Sequence, residues 1–167
     1  MRIITWNVNG IRSRIFNDQI SSKLKKNQDI VPDESSPIYK LISEFSPDVL
    51  CIQETRCSLE NSKKISIPGY CSFFNESKLQ GARGPDRYSG TAVFYKEKLN
   101  VIDIFTDLPG YEDREGRIIR IVFQHFILIT VYAPNSGTNF ENKIYFMETM
   151  IDYLNNITDP VVFCGDL

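Results

Sequence analysis

Pro160-Val161-Val162-Phe163-Cys164-Gly165-Asp166-Leu167, PVVFCGDL, is the stretch whose reading decides the fold. Its apolar run leads to Gly-Asp, the pattern by which a buried strand delivers a carboxylate to the end of a sheet. Three other strand-like runs finish in the same way. RIITW opens onto Asn7-Val8-Asn9-Gly10, DVLCI onto Gln53-Glu54-Thr55, and FILITV onto Tyr132-Ala133-Pro134-Asn135. If these strands are neighbours running in a common sense, their ends converge. The cluster then holds one glutamate, one aspartate, three asparagines and a tyrosine.

The rest of the chain supplies partners for such strands. Runs rich in Ile, Val, Phe and Tyr, punctuated by Gly, Pro and Asn, predict strands at 2–8, 48–53, 70–75, 91–96, 101–105, 117–123, 126–132 and 161–164. Gln124-His125, between two apolar runs, reads as a hairpin turn, and His125 as structural. Residues 37–45 predict a helix capped by Ser36, with Ile38, Leu41, Ile42 and Phe45 on one face. Residues 140–154 predict a second, capped by Asn139, with Phe140, Ile144, Met147, Ile151 and Leu154 as its apolar stripe. Residues 13–36 and 81–88 read as surface loops. Many strands and few helices predict an α/β class, a layered β-sandwich flanked by helices.

Composition sets the outer bounds. A single domain of 167 residues buries about 70% of its unfolded surface. The net charge of −2 and pI near 5.5 give no general attraction for nucleic acid, so a DNA-binding face has to be local. Cys51, Cys57, Cys71 and Cys164 form no CxxC pair and are accompanied only by His125, which argues against a zinc site. Cys51 and Cys164 lie in apolar runs and read as small hydrophobes, reduced in a cytosolic or nuclear compartment. No apolar run approaches the ~18 residues of a membrane span, and the N-terminus enters a strand pattern directly, so a soluble chain without signal peptide is expected. The glycosylation-like triplets at Asn75 and Asn156 then read as chance.

Each polar strand end has an ordinary explanation: Asn-Gly as a turn, Glu54 as a solvated end, Tyr132 as a packing residue. Together they offer hard oxygen ligands with no thiolate or imidazole, which suits Mg²⁺ and phosphate chemistry.

In chain order, WNVNGIR (6–12), CIQETR (51–56), YSGTAVFYK (88–96), EGRIIR (115–120), VYAPNSG (131–137) and FCGDL (163–167) resemble the blocks of the endonuclease/exonuclease/phosphatase superfamily. Within it they resemble the exonuclease III type of abasic-site endonuclease. The insertion after GIRS is similar to the eukaryotic AP endonuclease 2 branch. The resemblance implies Mg²⁺-dependent (or Mn²⁺-dependent) hydrolysis of DNA 5′ to abasic sites, with 3′-exonuclease or 3′-phosphodiesterase activity. It implies Glu54 as a direct metal ligand, with Asn7 binding the metal or backing its ligand. Tyr132 would contact the scissile phosphate or orient the nucleophile, and Asp166 would accept a proton from the attacking water. Asn9, Arg12 and Asn135 would contact DNA phosphates or support the site. Asparagine stands at position 9, where many relatives carry aspartate.

The same resemblance implies that residues 1–167 are the N-terminal portion of one domain, inactive alone, because an asparagine after GDL and a later Asp-His pair complete the family's site. Most of the second sheet is then expected from residues after 167, leaving an apolar sheet face exposed here. The implied partners are DNA with abasic sites or 3′-blocked ends, no membrane, and a sliding clamp engaged through a C-terminal region. The implied location is nuclear, with the cytoplasm as alternative. Two other readings share these features: a retrotransposon-type endonuclease, which also carries WNVNG, QET and SG blocks, and a non-catalytic binding half-domain.

Overall fold

The computed structural model describes residues 1–15, 30–79, 88–137 and 140–167. The first sheet comprises β1 (Ile3–Asn7), β2 (Val49–Gln53), β3 (Tyr70–Asn75) and β4 (Thr91–Lys96), in the order β1-β2-β4-β3. The second comprises β5 (Val101–Phe105), β6 (Ile118–Phe123), β7 (Ile127–Tyr132) and β8 (Val161–Asp166), in sequence order. Both sheets are mixed. β1 and β2 are parallel, as are β7 and β8, and the remaining pairs are antiparallel. The helices are α1 (Arg12–Ile15), α2 (Pro37–Phe45), α3 (Leu59–Ser62) and α4 (Phe140–Asn155).

Alternation along each strand divides the side chains between layers. Val49 and Cys51 of β2, Val93 of β4, Ile119, Ile121 and Phe123 of β6, and Leu128 of β7 meet between the sheets, with Val162 and Cys164 packed on them. The intervening residues face outward. Leu50, Ile52, Ala92 and Phe94 pack beneath Ile11, Ile15 and Ile38 on one side. Ile118, Ile129 and Val131 pack beneath Phe146 and Met150 of α4 on the other. Each fully buried Val, Leu or Ile contributes about 1.5–3 kcal/mol. The result is a four-layer α/β/β/α sandwich.

Several expectations change. The second sheet is built from this chain's own β5–β8, and its inner face covers the first. The polar stretch after GIRS is not loop throughout: Arg12–Ile15 is helical, Ile15 and Ile30 are buried, and Ile30 bridges to Ile65. The α4 stripe is rotated from its expected position. Phe146 and Met150 are buried, Met147 and Leu154 of the expected stripe pack beside them, and Phe140, Ile144 and Ile151 are exposed. The helix carries apolar residues on adjacent strips, and an edge-to-face contact of Phe146 with Tyr111, 5.4 Å between centroids, selects one.

Elsewhere the expected elements stand. Ser36 accepts a hydrogen bond from the Tyr39 amide (3.2 Å) at the start of α2, and Pro37 fills the first turn. Gln124 and His125 are exposed in the β6–β7 turn. Asn75 is buried, donating to Asp113 and to the Ile118 carbonyl, which removes it as a sugar acceptor. The expected Asn139 cap and residues 81–87 of the second loop lie outside the described residues. Among the described residues no helix is long and apolar enough to cross a membrane.

Candidate active site at four converging strand ends

The inter-sheet face changes character along the strands. In register, Ile3, Thr5 and Asn7 of β1 lie beside Val49, Cys51 and Gln53 of β2, and Leu128, Thr130 and Tyr132 of β7 beside Val162, Cys164 and Asp166 of β8. The first rung is apolar. Higher up, Thr5 Oγ1 donates to Gln53 Oε1 (3.1 Å) and Gln53 Nε2 donates across to Thr130 Oγ1 (3.0 Å). The last rung holds Asn7, Tyr132 and Asp166, with Glu54 one residue beyond Gln53.

These four residues form one bonded array. Asn7 Nδ2 donates to Asp166 Oδ2 (2.6 Å) and to Glu54 Oε1 (3.0 Å). The Tyr132 hydroxyl donates to the same Glu54 oxygen (2.8 Å), and Arg56 Nη2 pairs with Glu54 Oε2 (2.6 Å). Asn7 Oδ1 accepts the Asn9 amide (3.0 Å), which fixes the direction of its amide group. Burial alone would raise the Glu54 pKa, but the bonds from Asn7, Tyr132 and Arg56 together hold it below the usual carboxylate value. Tyr132 is pushed up to about 12, first by burial and then by its bond to the charged Glu54. Its hydroxyl therefore stays protonated at neutral pH and acts as a donor.

Backbone turns hold the array. Asn9, Glu54, Arg56 and Ser89 all have positive φ, between 45° and 54°, a conformation that costs non-glycine residues energy and gathers at functional sites. The turns are knitted together: Gly10 N donates to Glu54 O (2.8 Å), Thr55 N to Gly90 O (3.0 Å) and Arg56 N to Ser89 O (2.9 Å). At Gly165 a Cβ would lie 2.0 Å from the Val131 carbonyl oxygen. Only glycine lets β8 run close beside β7 and still present Asp166.

Asn9, Arg12 and Asn135 are exposed, following β1 and β7 on the side of the molecule where the array lies. Only Asn9 is bonded to it, and through its backbone. Sequence reading missed the support behind Tyr132. Arg117, 5% exposed, donates from Nη1 to the Tyr132 and Ala133 carbonyls (3.0 and 3.2 Å). It pairs with Glu115 and lies 4.8 Å from the centre of the Tyr132 ring. Its Nη2 also donates to the Tyr88 hydroxyl (3.2 Å). EGRIIR contains Arg117, and a charged residue opening a buried strand was the available signal.

The donors suit a hard divalent cation. Glu54, Asp166 and Asn7 Oδ1 are oxygens, and the guanidinium on Glu54 marks where positive charge is already held. Among the described residues no group of three or more His, Cys, Asp or Glu could hold a metal. Two carboxylates and an amide oxygen are donors of the kind a hard divalent cation takes, though fewer than fill its shell.

Comparison with known proteins agrees with the architecture. The chain is 31% identical over 175 residues to a DNA-(apurinic or apyrimidinic site) endonuclease of Dictyostelium discoideum, covering 100% of this chain and 41% of that protein. It is 33% identical over 173 residues to an exodeoxyribonuclease of Bacillus subtilis (strain 168), covering 100% of this chain and 58% of that one. The chain thus spans about half the length of the curated relatives it matches. In fold it is similar to the Xenopus laevis APE2 catalytic domain, with a TM-score of 0.72 at 18% identity over 99% of this chain and 58% of that chain. The family model for endonucleases, exonucleases and phosphatases matches residues 4–167. With that model matching nearly its whole length, the chain belongs to the endonuclease/exonuclease/phosphatase family.

Proposed function

We propose that this chain carries catalytic residues of a DNA-repair nuclease of the exonuclease III type. It hydrolyses the phosphodiester 5′ to an abasic site and also acts on 3′-blocked ends, with Mg²⁺, or Mn²⁺ in its place, as the ion. The observation that carries the reading is the bonded array Tyr132–Glu54–Asn7–Asp166, which gathers two acids, an amide and a protonated phenol at four strand ends. The names of the two relatives, an abasic-site endonuclease and an exodeoxyribonuclease, support the same reading.

Attack of water in line with the leaving oxygen builds negative charge on the phosphoryl group. Asp166 takes the proton from the attacking water, its carboxylate fixed by Asn7. Tyr132, whose one hydroxyl proton is bonded to Glu54, contacts the scissile phosphate or orients the nucleophile. Glu54 and Asn7 hold the ion, which when bound supplies positive charge to the developing anion. Asn9, Arg12 and Asn135 meet flanking DNA phosphates, giving the local attraction that a net charge of −2 does not. The insertion after GIRS favours the AP endonuclease 2 branch, and with it a nuclear location and a sliding-clamp partner.

The full-length protein, given Mg²⁺ and an end-labelled duplex with one abasic-site analogue, is expected to make a single cut on the 5′ side, leaving a 3′-hydroxyl. Chelation should abolish the cut. A duplex left intact with Mg²⁺ would overturn the reading.

A further inference from the structure

We propose that Arg56 is a resident counter-ion of the metal site: it occupies Glu54 when no ion is bound, is displaced when one arrives, and so sets the site's affinity for its ion. The inference rests on the metal-binding reading of Glu54 above. Both oxygens of that carboxylate are engaged, Oε1 by Asn7 and Tyr132 and Oε2 by Arg56. Oε1 already accepts two donors, so the oxygen with capacity left for a cation is Oε2, where the Arg56 guanidinium sits.

The two donors on Oε1 are committed elsewhere. Asn7 is bound at both ends of its amide, to the Asn9 backbone and to Asp166. The backbone of Tyr132 is clamped by Arg117, whose carbonyl takes the Tyr132 amide (2.8 Å) and whose guanidinium takes the Tyr132 carbonyl. Arg56 has no comparable anchorage. Its side chain is 41% exposed, against 14% for Glu54. Its Nε is buried with no hydrogen-bond partner among the described residues, so the seated guanidinium leaves a donor unmet that departure towards water would satisfy. Its backbone, at φ 45°, is held in the left-handed region by the bond to Ser89. Being a cation, Arg56 is also the donor that an incoming ion repels. The exchange puts one positive group in place of another, so Glu54 is neutralised throughout.

The test is a Mn²⁺ titration followed by electron paramagnetic resonance on the full-length wild type, Glu54→Gln and Arg56→Gln. Glu54→Gln should weaken binding at least about tenfold, and Arg56→Gln should tighten it about fivefold, the size expected when a half-exposed ion-pair competitor is removed. Unchanged binding in Glu54→Gln, or no binding by any of the three, removes the Glu54 site and this inference with it. Weakened binding in Glu54→Gln, with Arg56→Gln no tighter than wild type, overturns the inference alone. The wild type provides a check that needs no variant to fold. Mg²⁺ should shift the Arg56 Nε–Hε resonance as Glu54 becomes occupied, and a resonance unmoved at saturation contradicts the exchange.

Discussion

Glu54 is the residue on which the site's electrostatics turn. It titrates below its ordinary 4.5 in the fold, so between that value and its lowered one the unfolded chain binds more protons than the folded chain. Its contribution to stability is complete above 4.5 and is lost as pH falls through the folded value. Urea midpoints of wild type and Glu54→Gln should therefore differ near neutrality and converge below pH 4.5. A gap that stays constant as the pH falls through the acid range would contradict the assignment. Tyr132→Phe removes one donor and little volume, and should lower the single-turnover rate about 10²–10³-fold with the fold intact. Arg117→Met removes the clamp behind Tyr132 and should lower kcat more than it raises KM, because it disturbs placement of a group and not contact with DNA. An equal rise in KM would mark Arg117 as a binding residue. Arg56 and Arg117 each lie two residues from the acid they pair with, Glu54 and Glu115, but the bonds of Arg117 to the Tyr132 and Ala133 carbonyls depend on strand pairing and were not legible in the sequence.

Among the elements, β8 shows most plainly how sequence becomes a site. The VVFC run was legible as a buried strand, and Gly-Asp as its polar end. The strand continues through Gly165 to Asp166, past the expected end at 164, because the absent Cβ allows β8 to follow β7 for two more residues. Gly165→Ala places a methyl group against the Val131 carbonyl and should destabilise the fold by about 2–3 kcal/mol, measured by urea denaturation. A midpoint equal to wild type would mean that β8 can shift without cost. The rotation of α4 has the opposite lesson. Its five-residue stripe satisfied helical spacing, yet an adjacent set, Phe146, Met150 and Tyr153, satisfied it too; contact with Tyr111 and Leu108 buries that set and keeps only Met147 and Leu154 of the expected stripe against the core. Periodicity within one helix carries no information about what lies across from it.

For the whole molecule, the seam between the sheets does two things. Its lower rungs are apolar and hold the sandwich, and its upper rungs become polar and then ionisable where Asn7, Glu54, Tyr132 and Asp166 meet. The Gln53–Thr130 bond is the hinge of that gradient, linking the sheets just beneath the array. Thr130→Val keeps the shape but leaves the buried Gln53 amide short of a partner, and should cost about 1–3 kcal/mol of stability. A neutral result would mean that Gln53 finds another acceptor. The convergence of four strand ends was legible because each run ended in the same kind of residue. That both sheets lie within the chain was not, since contacts between the sheets, such as the side-chain bond of Asn7 with Asp166, join residues far apart in the sequence and leave no local trace.

The central claim is that these strand ends form a site for phosphodiester hydrolysis in which Asp166 receives the proton of the attacking water. The measurement that tests it most directly is the single-turnover incision rate of an abasic duplex by the full-length protein and its Asp166→Asn variant, with the two folds matched by circular dichroism. The variant should cut about 10²–10⁴-fold more slowly at saturating DNA and Mg²⁺, with DNA binding little changed. An Asp166→Asn protein that cuts at the wild-type rate would contradict the account.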